Sequence, residues 1–275
     1  MQLIARLDES NTHASADYML MAGYVGRLGQ WMHFDEAWRK GLRKSGLTHW
    51  HTSKIGNHPF RQKATKLADR HLMFGMIIRL DGDVFREAYH SREWFDGAKP
   101  DSMYGLCFRY CIRGIVQQAC VELPNQSVTI NFELESGHRN AGAPADIVRS
   151  FKRERVPMGD AIGAVTLGEK TKVPGLQAAD LLANWALELE TKGRVGTYDE
   201  GPLPLEKART REIKCPIFRC YPTAYDLAKF RDDVLIRTAN VENTGGCAMK
   251  RDWLRPLLRR QRSDLRRRPF RSRAT

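Results

Sequence analysis

The sequence predicts an α/β fold in which strands and helices alternate along residues 1–191. Residues 127–135 alternate apolar and polar side chains with a period of two, which is typical of a strand with one buried face. Residues 28–44 place large apolar side chains at helical spacing, which is typical of an amphipathic helix. Strands and helices mixed in this way pack as layers, with helices covering a sheet.

The other elements follow from the same two periodicities. The polar stretch 9–17 separates two apolar runs and predicts a hairpin loop, and Pro174 suits the first turn of a helix. The predicted strands are 2–8, 18–26, 127–135 and 160–168. The predicted helices are 28–44, 60–80, 102–121, 145–155, 174–191 and 222–238.

Composition excludes several classes of protein. The chain has 275 residues, 42% hydrophobic and 28% charged, which is ordinary for a folded domain and unlike a disordered chain. Six cysteines without a CxxC pair exclude a disulfide scaffold and a zinc ribbon. No apolar run approaches the ~20 residues of a membrane span, and no signal-peptide core precedes the first charges. A cytoplasmic protein without a membrane partner is therefore expected.

The positive charge is concentrated at the C-terminus. The net charge is +13, and residues 250–275 hold eleven Lys and Arg against two Asp, a local charge of +9. We expect a core domain at 1–191, a C-terminal appendage at 192–249 and a basic, disordered tail at 250–275. Such a tail either solubilises the chain or contacts nucleic-acid phosphates without sequence preference.

Acidic residues stand where predicted strands end. Asp8 and Glu9 close the first strand, and Glu133 and Glu135 lie on one face of the 127–135 strand. Asp180 lies in the helix that begins at Pro174. Carboxylates from such places can converge on hard divalent cations such as Mg²⁺, and two ions ~4 Å apart can hold both oxygens of a phosphodiester displacement. Acids that are simply solvated remain the alternative.

The 174–190 helix sharpens the case for Asp180. The helix is apolar around most of its circumference, which is typical of a buried helix, and a buried carboxylate needs a partner. Its polar residues form one narrow stripe, which is either functional or the solvent face: Gln177, Asp180, Asn184 and Glu188.

Six motifs in order resemble the domain-of-unknown-function 3800 family, whose members have a ribonuclease H-like fold. They are LDES (7–10), AGYVG (22–26), the tryptophans at 31 and 38, HWHTSK (49–54), LESGHRN (134–140) and GLQAADLLA (175–183). The resemblance covers residues 1–190. It implies a mixed five-stranded sheet flanked by helices, with acids gathered at its centre.

The resemblance also implies roles for particular residues. Asp8 would bridge two metal ions, and Glu135 and Asp180 would each complete one coordination shell. Glu135 is preferred because Ser-Gly-His follows it, as in the family's E-x-G pattern, with Glu133 as the alternative. Glu9 is a further candidate ligand.

Two histidines and two lysines are further candidates. His51, at a family position, and His138, just after Glu135, suit a proton shuttle or phosphate contact near neutral pH. Lys170 and Lys172 precede the last core helix and suit a phosphate contact, but exposed lysines without such a role are the more common case.

These observations predict a nuclease dependent on Mg²⁺ or Mn²⁺ that acts on DNA or RNA held by the basic tail and the core. The first alternative is a nucleic-acid-binding or adaptor protein of a phage-defence or mobile-element system that lacks catalysis. The second is a subunit that binds a protein partner, or another copy of the chain, through residues 192–249. No P-loop or GxGxxG motif is present, so those routes of nucleotide hydrolysis are unsupported.

Overall fold

The computed structural model describes residues 1–10, 17–52, 58–90, 100–136, 143–153, 158–191, 206–207 and 215–231. By its internal contacts the chain divides into two units, Met1–Leu235 and Ile236–Thr275. The second unit, with the basic tail at 250–275, lies outside the described residues.

The described part of the chain forms a seven-stranded mixed sheet with the order β5-β4-β1-β2-β3-β7-β6. Its strands are β1 (Gln2–Ser10), β2 (Tyr18–Arg27), β3 (Phe74–Asp81), β4 (Thr129–Glu135), β5 (Ile162–Gly168), β6 (Glu206–Lys207) and β7 (Ile217–Cys220). The β1–β2–β3 meander is antiparallel, whereas β4 is parallel to both β1 and β5. β7 is parallel to β3, and β6 pairs with β7 in the antiparallel sense.

Helices connect and cover these strands. They are α1 (Leu28–Lys44), α2 (Phe60–His71), α3 (Gly82–Phe85), α4 (Met103–Glu122), α5 (Ala143–Arg153), α6 (Pro174–Thr191) and α7 (224–231). A π-helical turn, Arg86–His90, extends α3, and a short 3₁₀ turn, Gly159–Ala161, precedes β5.

The helices lie in two layers, one on each face of the sheet. On one face, α1, α2 and α6 bury an aromatic cluster in which the rings of Trp38 and Phe60 are 5.1 Å apart. On the other face, α4 packs against the central strands, where the ring of Phe108 lies 5.8 Å from that of Phe132. Both faces of the sheet are therefore buried at its centre, which explains the apolar character of β2 and β3.

The prediction of one helix over residues 60–80 is wrong. The helix ends at His71, and Leu72 is extended before β3 begins at Phe74. β3 lies between β2 and β7 and is buried on both faces. A strand in that position has no apolar-polar alternation, so its periodicity is indistinguishable from that of a buried helix.

The sheet takes a strand from beyond residue 191. β7 pairs with β3, although residues 192–249 are predicted as a separate appendage. The division of the chain at residues 191 and 249 therefore stays a prediction about domains. The predicted fold class, a ribonuclease H-like α/β sheet flanked by helices, is confirmed, and β7 and β6 extend the five strands at one edge.

The register of the parallel strands positions the site. Leu7 pairs with Leu134, and Glu135 pairs with Gly168. The carboxyl ends of β1, β4 and β5 therefore meet at one edge of the sheet, where ligands of open α/β sheets usually bind.

Candidate carboxylate centre

Three carboxylates surround the ammonium group of Lys170. Its Nζ lies 2.9 Å from Oδ2 of Asp8, 2.8 Å from Oε2 of Glu135 and 3.3 Å from Oδ1 of Asp180. The lysine is only 9% exposed. The three acids are far apart in sequence, and one cation joins them.

Each member of this group comes from the same edge of the fold. Asp8 lies near the end of β1, Glu135 ends β4, and Lys170 follows the end of β5 by two residues. The turn after Lys170 closes when the backbone N–H groups of Lys172 and Val173 donate to the carbonyl of Glu169. The chain then enters α6, which supplies Asp180 from its second turn.

Asp8 carries the largest electrostatic cost. It is 1% exposed, and its Oδ1 has no hydrogen-bond partner among the described residues. Burial raises its pKa well above the ordinary value, Lys170 opposes this, and the charges of Glu9 and Asp180 add to it. A buried carboxylate oxygen without a donor is costly, which indicates a position suited to a further cation.

Two more groups respond to the crowding of charge. Burial, and then the charge of Glu135, raise the pKa of Glu9 to about 7. Burial opposes the charge of Lys170, yet the charges of Asp8 and Asp180 raise its pKa above the ordinary value. Lys170 therefore stays protonated at neutral pH, while Glu9 is divided between its charged and neutral forms.

The segment between α1 and α2 holds the second oxygen of Asp180. Oδ2 accepts hydrogen bonds from the backbone N–H of Thr52 at 2.7 Å and from its hydroxyl at 2.8 Å. The indole N–H of Trp50 donates in turn to the Thr52 hydroxyl oxygen at 2.9 Å. Asp180 is thus fixed on one side by Thr52 and on the other by Lys170.

Gln177 connects the same elements from beneath. Its Oε1 accepts from the indole N–H of Trp38 and from the backbone N–H of Trp50. Its Nε2 donates to the carbonyl oxygen of Lys170 at 2.9 Å. Because Gln177 is 2% exposed, losing it would leave several buried groups without partners. The stripe of α6 therefore begins in the interior, although Glu188 at its far end is part-exposed.

A second ionic cluster lies one pair of residues back along the same strands. Arg6 donates from Nε to Oε2 of Glu133 at 2.7 Å and from NH1 to both oxygens of Asp35. Its guanidinium lies 4.4 Å from the ring centre of Trp31. Gly175, at the start of α6, leaves room for this side chain, because a Cβ there would lie 2.2 Å from Cδ of Arg6.

The structure thus places the predicted site residues in three groups. Asp8, Glu135 and Asp180 are brought together, and Glu9 lies next to them on β1. Glu133 is not brought there, because Arg6 binds it. His51 lies between Trp50 and Thr52 and is half-buried. His138 lies outside the described residues.

The two lysines differ. Lys172 is exposed and paired with Glu169, whereas the expectation of an exposed lysine is wrong for Lys170. The burial of Lys170 has a sequence signal in hindsight, because it directly follows a strand parallel to the one that ends at Glu135. The role of Thr52 has none, since its segment shows no periodicity.

The residues fit a hard divalent cation by chemistry. Carboxylate oxygens are the ligands that Mg²⁺ and Mn²⁺ prefer, and Oδ1 of Asp8 is buried without a partner. Within the described ranges, no three His, Cys, Asp or Glu side chains stand in an arrangement ready to hold a metal ion. The physical reason is that the acids are spaced around the Lys170 ammonium, which takes the position a cation would need.

No protein-family model matches the chain, and no curated protein matches it in sequence. Among solved structures it is similar to Bst RNase HIII in complex with Mn²⁺, with 13% identity, a TM-score of 0.40 and 70% of this chain covered. It is also similar to the RNase HII of Archaeoglobus fulgidus in its complex with PCNA, with 14% identity and a TM-score of 0.37. That match covers 73% of this chain and 83% of the other. The chain spans 55% of the length of the RNase HIII. Among the described helices, none has the length and apolar character needed to cross a membrane.

Proposed function

We propose that this protein is a metal-dependent phosphodiesterase of nucleic acids whose centre is formed by Asp8, Glu135 and Asp180. The observation that carries the proposal is the convergence of these three carboxylates on one buried cation at the carboxyl ends of three parallel strands. The motifs that resemble the domain-of-unknown-function 3800 family support it, because the same three residues stand in them.

The charge balance of the centre favours a further cation. Three carboxylates and one ammonium leave two formal negative charges in a region where Asp8 and Lys170 are almost fully buried. Uncompensated buried charge is expensive, so in the metal-free protein some of it is removed by protonation of Asp8 and Glu9. A divalent cation supplies the missing two charges and releases those protons.

Each residue then has a distinct task. Asp8, Glu135 and Asp180 would hold Mg²⁺ or Mn²⁺, which supplies charge stabilisation for a phosphodiester displacement when bound. Thr52 and Gln177 keep Asp180 and the Lys170 loop in place. Lys170 leaves the acids when a metal enters and then offers an ammonium to the substrate phosphate. His51 is the described histidine nearest in sequence to Thr52 and is the candidate proton carrier.

The experiment is a cleavage assay on labelled DNA, RNA and RNA–DNA hybrid with Mg²⁺ or Mn²⁺. We expect cleavage by the full chain with metal, no cleavage in EDTA, and loss of cleavage in D8N, E135Q and D180N. E133Q is the matched control, because it makes the same chemical change two residues earlier on the same face of β4. Equal loss in E133Q and E135Q, or cleavage that survives D8N, would contradict the proposal.

A second candidate is a nucleic-acid-binding protein without catalysis. The position of the Lys170 ammonium favours it, because a lysine that stays among the acids excludes a metal. The K170M variant separates the two. If metal displaces the lysine in the wild type, removing this competitor keeps or raises Mn²⁺ affinity. If the lysine is permanent, wild-type protein binds no Mn²⁺ and K170M is strongly destabilised by three unpaired acids.

A further inference from the structure

Helices α1 and α2 carry a concentrated positive charge on their solvent side. Seven Lys and Arg side chains on them are exposed, against one exposed acid, Glu36. None of the seven pairs with an acid among the described residues. We call them the helix-pair surface: Arg39, Lys40, Arg43, Lys44, Lys63, Lys66 and Arg70.

Helix stability explains only part of this charge. Arg43 and Lys44 stand in the last turn of α1, where cations interact favourably with the helix dipole. Lys63 stands just after the first turn of α2, which contains no acid and already includes Arg61. Cations at that end of a helix are unfavourable by a few tenths of a kcal/mol each. Charge that costs stability where it stands indicates a binding role.

The two helices lead to the carboxylate centre. Phe60, at the start of α2, packs on Trp38 and Gly41 in the second half of α1, while Leu72 after α2 lies near Gly26 before α1. The helices are therefore antiparallel. The chain that joins the end of α1 to the start of α2 contains Thr52, whose hydroxyl donates to Asp180.

From this arrangement we infer that the helix-pair surface binds the phosphodiester backbone of the nucleic acid and directs it to the carboxylate centre. This inference rests on the proposed function for its substrate and adds the surface that holds it. A helix of the length of α1 extends ~25 Å, the axial length of roughly seven phosphates on one strand of a duplex. The surface offers charge and little apolar area, so it reads no base sequence.

The test measures binding in EDTA, so that it is independent of cleavage, with the full chain throughout so that the basic tail contributes equally. The test variant combines K63Q, K66Q and R70Q. Glutamine keeps helix propensity close to that of lysine and arginine. The control variant removes the same three charges from α5, which packs with α4 on the opposite side of the sheet: R149Q, K152Q and R153Q.

We expect the slope of log affinity against log salt for a 30-base-pair DNA to become less steep by about 2 to 3 in the test variant, since each lost phosphate contact removes about 0.9. The α5 control should change the slope by less than 1. Separate arms with single-stranded RNA and an RNA–DNA hybrid identify the preferred polymer. An unchanged slope in the test variant, or an equal change in both variants, would overturn the inference.

Two further readings keep the result unambiguous. A polyglutamate probe that binds as tightly as DNA, with the same loss in the test variant, would show that the surface takes acidic protein and would also overturn the inference. Thermal unfolding of both variants checks folding, and R39Q with K43-side neighbours left intact tests α1 separately. Wild type that binds through this surface but never cleaves contradicts the proposed function alone, whereas cleavage with an unchanged slope contradicts the surface alone.

Discussion

Two ionic clusters lie on the same face of the sheet, two residues apart along β1 and β4. In the first, the guanidinium of Arg6 is held by Glu133 and Asp35 and stacks on Trp31. In the second, the ammonium of Lys170 is surrounded by Asp8, Glu135 and Asp180. The first cluster has two acids for one cation, and the second has three.

The difference between the clusters shows how position along a strand separates structure from chemistry. The Arg6 fork makes several directed hydrogen bonds, and its geometry suits a fixed pair. The Lys170 ammonium is a point charge that leaves an oxygen of Asp8 without a partner. We therefore expect the Arg6 cluster to stabilise the fold and the Lys170 cluster to bind a metal at some cost in stability.

The largest expected effect concerns Asp8. The D8N variant should lose at least 10³-fold in metal-dependent cleavage, because removing one charge-stabilising group of a catalytic site commonly costs about that much. Its stability should be equal to or above that of the wild type, since a buried charge disappears. Single-turnover assays and urea unfolding measure the two effects, and a folded D8N protein with near-normal cleavage would break the comparison.

The next effect compares E133Q with E135Q. E133Q should destabilise the protein by about 1–3 kcal/mol, because Arg6 loses one charged partner in a part-buried site. E135Q relieves repulsion around Asp8 and should be neutral or stabilising without metal. Urea unfolding in EDTA gives both values. The same sign and size of change in the two variants would show that the clusters do not differ in this way.

The pH dependence of stability follows from Glu9. Its pKa is about 7 in the folded protein and lies near 4.5 when exposed, so the folded state binds more protons between these values. Its contribution to stability is therefore greatest below about pH 4.5 and falls by up to roughly 3 kcal/mol as pH rises through 7. The difference in unfolding free energy between wild type and E9Q, measured without metal at several pH values, isolates this effect, and parallel profiles would refute it.

The smallest effect concerns Thr52. T52V removes the hydroxyl that donates to Asp180 but keeps the shape and the backbone N–H bond. We expect cleavage to fall by about tenfold, the equivalent of one hydrogen bond to a charged group. T52S should restore it, because serine keeps the hydroxyl. Equal activity in T52V and T52S would show that the hydroxyl does not position Asp180.

Much of this arrangement was predictable because it follows from local pattern. The alternation of β4 placed Glu133 and Glu135 on one face, and the apolar character of α6 placed Asp180 in the interior. What decided between the two glutamates was not local. Arg6 lies far from Glu133 in sequence, and only the parallel register of β1 and β4 brings them together.

The same reason explains the other failures. β3 has no period that distinguishes it from a helix, because neighbours on both sides bury it. Lys170 resembles any loop lysine until three acids from elsewhere in the chain surround it. Long-range pairing therefore determined what composition and periodicity left open.

The most direct test of the central claim is calorimetric titration of the full chain with Mn²⁺. Wild type and E133Q should bind with similar affinity and release protons, because the metal replaces protons on the Asp8 and Glu9 carboxylates. D8N and E135Q should lose that binding. If none of the four proteins binds Mn²⁺, or if E133Q loses binding as E135Q does, the Lys170 cluster is not a metal centre.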